Sequence, residues 1–361
     1  MAGIYIHIPF CKSFCTYCGF YSKLIRNNGA TELFVAALVK ELESRRMFLP
    51  KGSIIKTIYM GGGTPSILSP KQFMSIFTAL SQQYDLSSVE EFTIEVNPDD
   101  ICSKYSEGLL EAFKTCGVNR VSIGIQSFCD EHLNWMNRRH SAAQAEQALH
   151  LLRSLFDNIS LDLIFGFPLL SHEQWKNNLE KAVASGVQHI SAYQLSVDPE
   201  SVLAQQSKDG HFLECDEDIC RTQYEFMQNY LVSKGFDQYE ISNFCKKGFH
   251  SRHNSSYWTR EPYLGLGPGA HSFDGSRLRC WNEPDLANYL ERAEPECEML
   301  SDVDIYNEKV MLGLRTSAGI DAELLRGAVV HNLSYDPAKN RYYIAKQDLF
   351  ISDSIILDYL Q

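Results

Sequence analysis

The sequence predicts an α/β fold: a partial (β/α)6 barrel followed by a small C-terminal winged-helix-like α+β domain. Strand-like and helix-like segments alternate through the first two hundred residues, and polar residues stand at the end of one strand after another. Parallel strands need long crossover connections, which helices supply. We expect the barrel over residues 1–200, an extension of it over 201–300 and the C-terminal domain over 301–361.

Apolar and alternating runs predict six strands. Their bounds are Ile4–Ile8, Ile54–Met60, Phe92–Val96, Arg120–Ile125, Ile159–Ile164 and His189–Leu195. Between them, Thr31 is a candidate N-cap, and Ser69 before Pro70 has the residue types favoured at a helix start. The next helices are predicted over Ser103–Thr115, Ser141–Leu155 and Ser171–Ser185.

After residue 200 the regular alternation of strands and helices ends. The sequence predicts a helix, a strand and then a loop rich in glycine, asparagine and aromatic residues that leads to Glu283. The last sixty residues predict two helices, a strand and a closing helix, which is the pattern of a winged-helix-like domain. The predicted segments are Asp216–Lys234, Gln238–Ser242, Asn307–Arg315, Asp321–Ala328, Arg341–Ala345 and a helix from Asp353.

The composition is that of a soluble globular protein: 361 residues, 44% hydrophobic and 22% charged. A net charge of −12 without a Lys/Arg-rich run argues against a nucleic-acid surface. The chain has no signal-peptide pattern at its start and no apolar run of about 18 residues, so we expect a cytoplasmic protein without a transmembrane segment. In that compartment the eleven cysteines should be free thiols or metal ligands, not disulfides. A homodimer is one assembly that the sequence allows.

Three cysteines, Cys11, Cys15 and Cys18, share one short loop after the first strand. Thiolates at such spacing can hold an iron–sulfur cluster, and since the next cysteine is Cys102, one iron of a [4Fe–4S] cube would stay open. The amino and carboxylate groups of S-adenosylmethionine can chelate that iron. A zinc site is the alternative, but it needs a fourth ligand, and His7 lies in an alternating strand-like run. Three unrelated buried cysteines are a further alternative.

Further polar groups follow the later strands. Glycines at 61–63 let backbone approach a ligand without a Cβ in the way. Glu95, Gln126 and Asp162 offer acceptors and Arg138 offers a cation, the set that a zwitterionic amino acid joined to a ribose requires. Each of these features has a structural alternative. The glycines can form an ordinary turn, Glu95 and Asp162 can cap backbone groups or form ion pairs, and Arg138 can belong to a solvated basic pair.

These motifs, in this order, resemble the radical S-adenosylmethionine superfamily and, within it, the oxygen-independent coproporphyrinogen III oxidase group, over essentially the whole chain. The motifs are C-x3-C-x2-C, GGGTP, IEVNP, SIGIQSF, NRRH and LDLIFGFP. The resemblance implies a [4Fe–4S] cluster on Cys11, Cys15 and Cys18, with the fourth iron left to S-adenosylmethionine. It implies a binding site for that molecule lined by Tyr5, Tyr17, Gly62, Gly63, Thr64, Glu95, Gln126, Arg138 and Asp162.

Within that group the chain is more similar to the haem chaperones of the HemW type. The oxidases have a further cysteine where this chain has Phe20, and a longer segment before the first cysteine. The segments 253–258, 263–271 and 311–316 instead resemble the chaperones, which bind haem and pass it to acceptor proteins, often respiratory enzymes. The alternatives are an oxidase that decarboxylates coproporphyrinogen III through a 5′-deoxyadenosyl radical, and a structural metal protein without radical chemistry.

Haem needs an axial ligand and an apolar surface. His253 is the candidate ligand within the chaperone-like segment, with His271 as its rival, and Tyr257, Trp258 and Tyr263 offer flat apolar surface. The structural alternative is that the His-Asn pair caps backbone groups and that Tyr257 and Trp258 belong to the core.

Overall fold

The computed structural model describes residues 1–25, 28–104, 106–291 and 294–361. Its strands are β1 (Ala2–Ile8), β2 (Phe10–Cys11), β3 (Lys23–Leu24), β4 (Ile55–Gly62), β5 (Glu91–Val96), β6 (Arg120–Gln126), β7 (Ile159–Phe165), β8 (His189–Gln194), β9 (Asp237–Gln238), β10 (Asn243–Cys245), β11 (Tyr263–Leu266), β12 (His271–Phe273), β13 (Leu278–Trp281), β14 (Glu296–Met299), β15 (Ile320–Asp321), β16 (Ser334–Asp336) and β17 (Arg341–Tyr343).

The helices are α1 (Asn28–Ser44), α2 (Pro70–Gln83), α3 (Pro98–Ile101), α4 (Ser106–Thr115), α5 (Asp130–Trp135), α6 (Ala142–Arg153), α7 (His172–Ala184), α8 (Val202–Lys208), α9 (Glu217–Ser233), α10 (Arg252–Trp258), α11 (Leu286–Glu291), α12 (Asp302–Leu314) and α13 (Ser352–Leu357). Short 3-10 turns lie at Pro65–Ile67, Ala322–Leu325 and Lys346–Ile351. None of the described helices is long and apolar enough to span a membrane.

The six predicted barrel strands form the centre of a 12-stranded sheet. β1, β4, β5, β6, β7 and β8 are parallel neighbours in that order, so the predicted (β/α)6 arrangement is confirmed. On one face of the strands, residues such as Ile58, Ile94 and Ile123 are fully buried in one core with the helices. The other face carries the polar residues and encloses the barrel interior. The sheet ends at β14 on one side and β9 on the other and does not close.

Local helix signals in the sequence are confirmed at three helices of the barrel. Ser69, Ser141 and Ser171 each accept a hydrogen bond from the backbone N–H three residues later, and a glutamine at that position bonds back, which completes a capping box. Such a cap contributes about 1 kcal/mol. All three helices also lie where a parallel sheet requires them, because each follows one parallel strand and precedes the next.

Several predicted bounds differ from the structure. The candidate N-cap Thr31 lies inside α1, which begins at Asn28, so that prediction is wrong. The helix predicted over Ser103–Thr115 begins at Ser106, preceded by the short α3, and Tyr105 lies outside the described residues. The strand predicted over Gln238–Ser242 ends at Gln238. The chain turns there because the Glu240 carboxylate accepts a hydrogen bond from the Ser242 N–H (2.9 Å).

The glycine-rich segment predicted as a loop contains α10, β11, β12 and β13. β11 pairs in parallel with β1, and β12, β13 and β14 follow in antiparallel order. A Cβ at Gly265 would lie 1.9 Å from the His271 carbonyl oxygen, so this hairpin requires glycine. These strands are three or four residues long and were not predicted because they show no clear alternation.

The cysteines were expected to be free, and for Cys280 and Cys297 that expectation is wrong. The two residues lie opposite each other in β13 and β14, with their Cα atoms 4.0 Å apart, and form a disulfide. The pairing follows from the register of two strands that the sequence did not reveal. The other nine cysteines are free.

The C-terminal segment has a small core of its own. Val310, Leu314, Ile320, Ile344 and Ile356 are buried together beneath the three-stranded sheet β15–β17–β16. The helix predicted over Asp321–Ala328 is only the 3-10 turn at Ala322–Leu325. This α+β arrangement agrees with the predicted fold class.

Candidate functional site

One cavity of about 1130 Å³ opens at the carboxyl ends of the parallel strands. Eleven of the thirteen residues predicted for the cluster, S-adenosylmethionine and haem line it: Cys11, Cys15, Cys18, Tyr17, Gly62, Gly63, Thr64, Glu95, Gln126, Arg138 and Asp162. They come from different strands and loops, and they meet because the carboxyl ends of parallel strands converge on one face of a barrel.

The loop that carries the cysteines, residues 11–20, is held by neighbouring segments of backbone. The Thr16 N–H donates to the Met136 carbonyl (3.1 Å), and the Thr16 carbonyl accepts from the Leu203 N–H (2.9 Å). The Asn137 side chain donates to the Phe14 carbonyl (2.7 Å). These bonds fix the loop against the end of α5 and the start of α8, so the three thiols are presented without a metal to order them.

Two of the thiols face donors from other segments of the chain. Arg138 Nη1 lies 3.4 Å from Cys15 Sγ, and Thr64 Oγ1 lies 3.5 Å from Cys11 Sγ. Burial raises the pKa of Cys18 to about 11, so a thiolate there needs a metal as counter-charge. Among the described residues, no three His, Cys, Asp or Glu side chains surround a single ion position, as one zinc ion would require. A four-iron cluster binds each cysteine at a different iron and does not need that convergence.

The glycine run at the end of β4 lies against residues 7–10, just before the cysteine loop, with no space for side chains at Gly62 and Gly63. Gly62 has φ 101°, and a Cβ there would meet the His7 ring at 2.5 Å. A Cβ at Gly63 would lie 2.6 Å from the Phe10 carbonyl oxygen. The glycines therefore bring backbone donors and acceptors to the cavity wall, as expected from the sequence.

Glu95 is a half-buried carboxylate held by two donors. Tyr59 Oη donates to Oε1 (2.6 Å), and the Gly62 N–H donates to Oε2 (3.2 Å). Burial raises the pKa of Glu95 to about 7, although the Tyr59 bond opposes this rise. The sequence did not single out Tyr59. The available signal was its position two residues before Gly61 in β4. Alternate residues of a strand point to the same side, which here is the barrel interior.

Arg138 is fixed by neutral acceptors. Nη2 donates to Asn97 Oδ1 (2.7 Å) and to the Gly124 carbonyl (2.6 Å), and Asn97 Nδ2 donates to Thr64 Oγ1 (3.1 Å). Nε of Arg138 is buried and has no partner among the described residues. Such a guanidinium is oriented but not neutralised, and it can take a carboxylate. Asn97 was not predicted, although it stands two residues after Glu95 at the same strand end.

Gln126 and Asp162 complete the polar wall. Gln126 has φ 66°, in the left-handed region, and the β6–β7 register shifts between Gly124 and Gln126. Backbone strain of this kind concentrates at functional sites. Asp162 accepts from Ser122 Oγ at 3.4 Å, and burial raises the pKa of Asp162 to about 6.

Tyr5 and His253 do not line the cavity. Tyr5 lies within the barrel, where its hydroxyl is 3.1 Å from His7 Nδ1 and its ring is 6.1 Å from that of Tyr59. It supports the Tyr59–Glu95 pair and does not face the space where a ligand fits.

His253 is fully buried at the opposite end of the barrel. Its Nδ1 is 2.8 Å from Thr57 Oγ1, and its Nε2 is 2.8 Å from Tyr257 Oη. Burial lowers the pKa of His253 to about 3. Because both ring nitrogens are engaged, His253 has none for haem iron, which corrects the expectation from the sequence. The rival ligand, His271, is exposed on β12 and stacks on Trp281.

Exposed apolar side chains surround the mouth of the cavity. Phe14, Phe20, Tyr193 and Val202 line it and are 42%, 71%, 43% and 47% exposed. We call these four residues the apolar rim. Phe20 stands where the resembling oxidases have a further cysteine, and in this chain it contributes a flat apolar surface next to the cysteine loop.

Comparisons with known proteins agree with this geometry. Residues 5–182 match the radical SAM superfamily. The chain is 33% identical over 324 residues to the heme chaperone HemW of Lactococcus lactis, covering 88% of this chain and 83% of that protein. HemW of Bacillus subtilis is 33% identical over 328 residues, with 89% and 85% covered.

A mitochondrial relative and a solved structure extend the comparison. The mouse radical S-adenosyl methionine domain-containing protein 1 is 33% identical over 336 residues, covering 88% of this chain and 74% of that protein. The structure of coproporphyrinogen III oxidase HemN from Escherichia coli superposes with a TM-score of 0.82 at 19% identity, over 99% of this chain and 89% of that one. At that identity the likeness shows a common fold.

Proposed function

The chain belongs to the HemW family within the radical S-adenosylmethionine superfamily, and from this we propose that it binds haem and transfers it to acceptor proteins, respiratory enzymes among them. The proposal includes a [4Fe–4S] cluster, S-adenosylmethionine and haem as the bound groups, and the cytoplasm as the place of action. It does not assign oxidative decarboxylation of a porphyrinogen to the protein.

The cysteine loop has the donors that a cluster requires. Three thiols line one cavity, Arg138 and Thr64 face two of them, and the glycine backbone of β4 closes the wall behind them. A cluster bound by Cys11, Cys15 and Cys18 would supply an open iron for the amino and carboxylate groups of S-adenosylmethionine.

The neighbouring side chains suit the rest of that molecule. The free Nε–H of Arg138 can bind its carboxylate, and Glu95 can accept from its ammonium group. Asp162 and Gln126, on adjacent strands, can hold ribose hydroxyls. Each of these contacts uses a donor or acceptor that the fold already holds in place.

The observation that carries the haem proposal is Phe20, 71% exposed at the mouth of the cavity with the rest of the apolar rim around it. Exposed apolar patches mark ligand and partner sites, and a porphyrin is flat and largely apolar. We place the porphyrin face on the rim, where it remains accessible to an acceptor protein, and not beside the buried His253.

The test is an anaerobic haem titration of the reconstituted protein and of Phe20→Ser. Phe20→Ser removes most of an aromatic contact, which should cost about 1.4 kcal/mol of binding free energy. Haem binding should therefore weaken about tenfold. Val329→Ser removes a side chain that is 86% exposed in the C-terminal segment and serves as the matched control with unchanged affinity. Equal haem affinity in Phe20→Ser and wild type would place the haem elsewhere. Transfer is then followed as movement of the Soret band to a haem-free respiratory cytochrome.

A further inference from the structure

The cavity continues below the S-adenosylmethionine residues to the floor of the barrel. Its lining includes Arg120 and Asn254 as well as the residues of the upper wall. Arg120 begins β6 and precedes Gln126 by six residues, so its Cα lies roughly 20 Å deeper at about 3.3 Å per residue. Ser122 and Gly124, two and four residues above it, face the same interior and line the same cavity.

The Arg120 guanidinium is buried, and two of its nitrogens have no direct hydrogen-bond partner in the described part of the chain. The residue is 1% exposed, and its Nε and Nη1 atoms are buried with no hydrogen-bond partner among the described residues. Burial raises the pKa of Glu95 and of Asp162, and the charge of Arg120 is near enough to oppose that rise, but neither carboxylate bonds to these two atoms. A buried charge is normally hydrogen-bonded as well as paired. A group that contacts this guanidinium directly is therefore still missing.

A second unmatched donor lies next to it. Thr93 is the register partner of Arg120 across β5 and β6. It is fully buried, and its Oγ1 also has no partner in the described part of the chain. Thr93 lies between Glu91 and Glu95 on the strand face that points to the interior. A guanidinium that lines the cavity and a hydroxyl buried beside it on the adjacent strand thus both lack a hydrogen-bond partner among the described residues.

The surrounding polar groups are already engaged. Glu95 is bound by Tyr59 and Gly62, and Asp162 by Ser122. The two nearby imidazoles have partners at both nitrogens: His189 with Ser160 (2.7 Å) and Tyr239 (2.8 Å), His253 with Thr57 and Tyr257. Burial, followed by the charge of Arg120, lowers the pKa of both histidines, so neither adds positive charge. One cation and one hydroxyl remain to be matched.

We propose that Arg120 and Thr93 form a binding site for a carboxylate-type oxyanion at the floor of the barrel. The planar guanidinium can hold two oxygens of such a group side by side, and the threonine hydroxyl can donate to one of them. We take the oxyanion to be a free small anion such as acetate or bicarbonate, because a porphyrin on the apolar rim lies at the mouth of the cavity and its propionates do not reach the floor. The site therefore does not rest on the proposed function.

The first experiment measures the thermal unfolding midpoint of the reconstituted protein against acetate concentration at constant ionic strength. A ligand that binds the folded state raises the midpoint. We expect this rise in wild type and in Arg326→Gln, whose side chain is 77% exposed. We expect no rise in Arg120→Gln and a reduced rise in Thr93→Val.

The same variants separate a ligand site from a structural arginine. Because Arg120→Gln removes a buried charge whose Nε and Nη1 have no direct partner among the described residues, its midpoint without acetate should not fall below that of wild type. An acetate response that persists in Arg120→Gln would overturn the site. So would unfolding of both Arg120→Gln and Arg120→Met at the temperature where wild type is folded, since the arginine would then be a structural element.

The second experiment titrates haem into wild type and Arg120→Gln and repeats the acetate series with haem bound. Because the porphyrin is placed on the apolar rim, both proteins should bind haem alike and the acetate response should remain. A roughly tenfold loss of haem affinity in Arg120→Gln, or an acetate response abolished by haem, would overturn the assignment of the floor site to a free anion. Absence of any haem binding would reject the proposed function but leave the acetate result, and with it the site, intact.

Discussion

The carboxyl end of the barrel and the α10 segment at its amino end carry equally conspicuous motifs and differ in what their side chains still lack. At the carboxyl end, Arg138 has an unpartnered Nε, Gln126 holds a left-handed φ, and Phe20 is exposed. At the amino end, α10 brings His253 into the barrel with both ring nitrogens bonded. The backbone N–H groups of Arg252 and His253 bind the Glu91 carboxylate (2.8 and 3.0 Å). A ligand site is marked by unmet polar groups, and a structural site by groups that are all satisfied.

The largest expected effect tests the carboxyl end. Cys11→Ala, Cys15→Ala and Cys18→Ala should each abolish the reconstituted cluster, because these thiols alone share the loop at the cavity. Iron and sulfide analysis after anaerobic reconstitution measures this. Cys116→Ala and Cys220→Ala, at buried free thiols remote from that loop, are the controls and should retain full iron content. If a control variant lost as much iron as the loop variants, the three loop cysteines would not be the specific ligands of the cluster.

The α10 segment at the amino end should respond in stability and not in haem binding. His253→Ala leaves a cavity and breaks the bonds to Thr57 and Tyr257, which should lower the free energy of unfolding by about 2–4 kcal/mol. Denaturant unfolding measures it, with His271→Ala as the exposed control. Any haem that His253→Ala still binds should keep the wild-type Soret band. A shifted Soret band with unchanged stability would identify His253 as a haem ligand and contradict its structural role.

Substitutions in the S-adenosylmethionine site should affect affinity and leave the cluster in place. Arg138→Ala and Glu95→Gln each remove a charged contact, worth about 1.5–3 kcal/mol or ten- to a hundredfold in dissociation constant. Equilibrium binding of S-adenosylmethionine to reconstituted protein tests this. Arg139→Ala is the neighbouring control, since Arg139 pairs with Asp99 (2.8 Å). If Arg138→Ala and Arg139→Ala bind S-adenosylmethionine equally well, the Arg138 guanidinium does not bind its carboxylate.

A smaller effect comes from the pKa of Glu95, which burial raises from 4.5 to about 7. The folded state then holds a proton that the unfolded chain releases above pH 4.5. Stability from this group is complete below pH 4.5 and is lost as the pH rises towards 7. Glu95→Gln should flatten that part of the stability profile measured by unfolding at several pH values. Asp162, whose pKa is raised to about 6, will leave a residual slope. An unchanged slope in Glu95→Gln would mean that Glu95 is ionised throughout.

The sequence predicts features whose signals are local. The six strands follow from apolar runs, the helix starts from Ser69, Ser141 and Ser171, and the cavity wall from residues that directly follow strands. Their convergence then follows from the parallel topology alone, and this is why eleven of the thirteen predicted residues meet.

Features that depend on distant pairing were missed or misplaced. The Cys280–Cys297 disulfide depends on the register of two short strands. The burial of His253 depends on Thr57, almost two hundred residues away, and on Tyr257 in the same helix. Arg120 and Thr93 are ordinary strand residues in the sequence, and only their juxtaposition across β5 and β6 distinguishes them.

The most direct test of haem binding at the carboxyl end uses one anaerobic preparation of reconstituted protein supplied with S-adenosylmethionine. Half receives haem, and half receives coproporphyrinogen III. We predict stoichiometric haem binding, recorded by the Soret band, and no loss of coproporphyrinogen beyond that in a Cys15→Ala control. Conversion of coproporphyrinogen III together with consumption of S-adenosylmethionine, and no haem binding, would contradict the account and identify the protein as an oxidase.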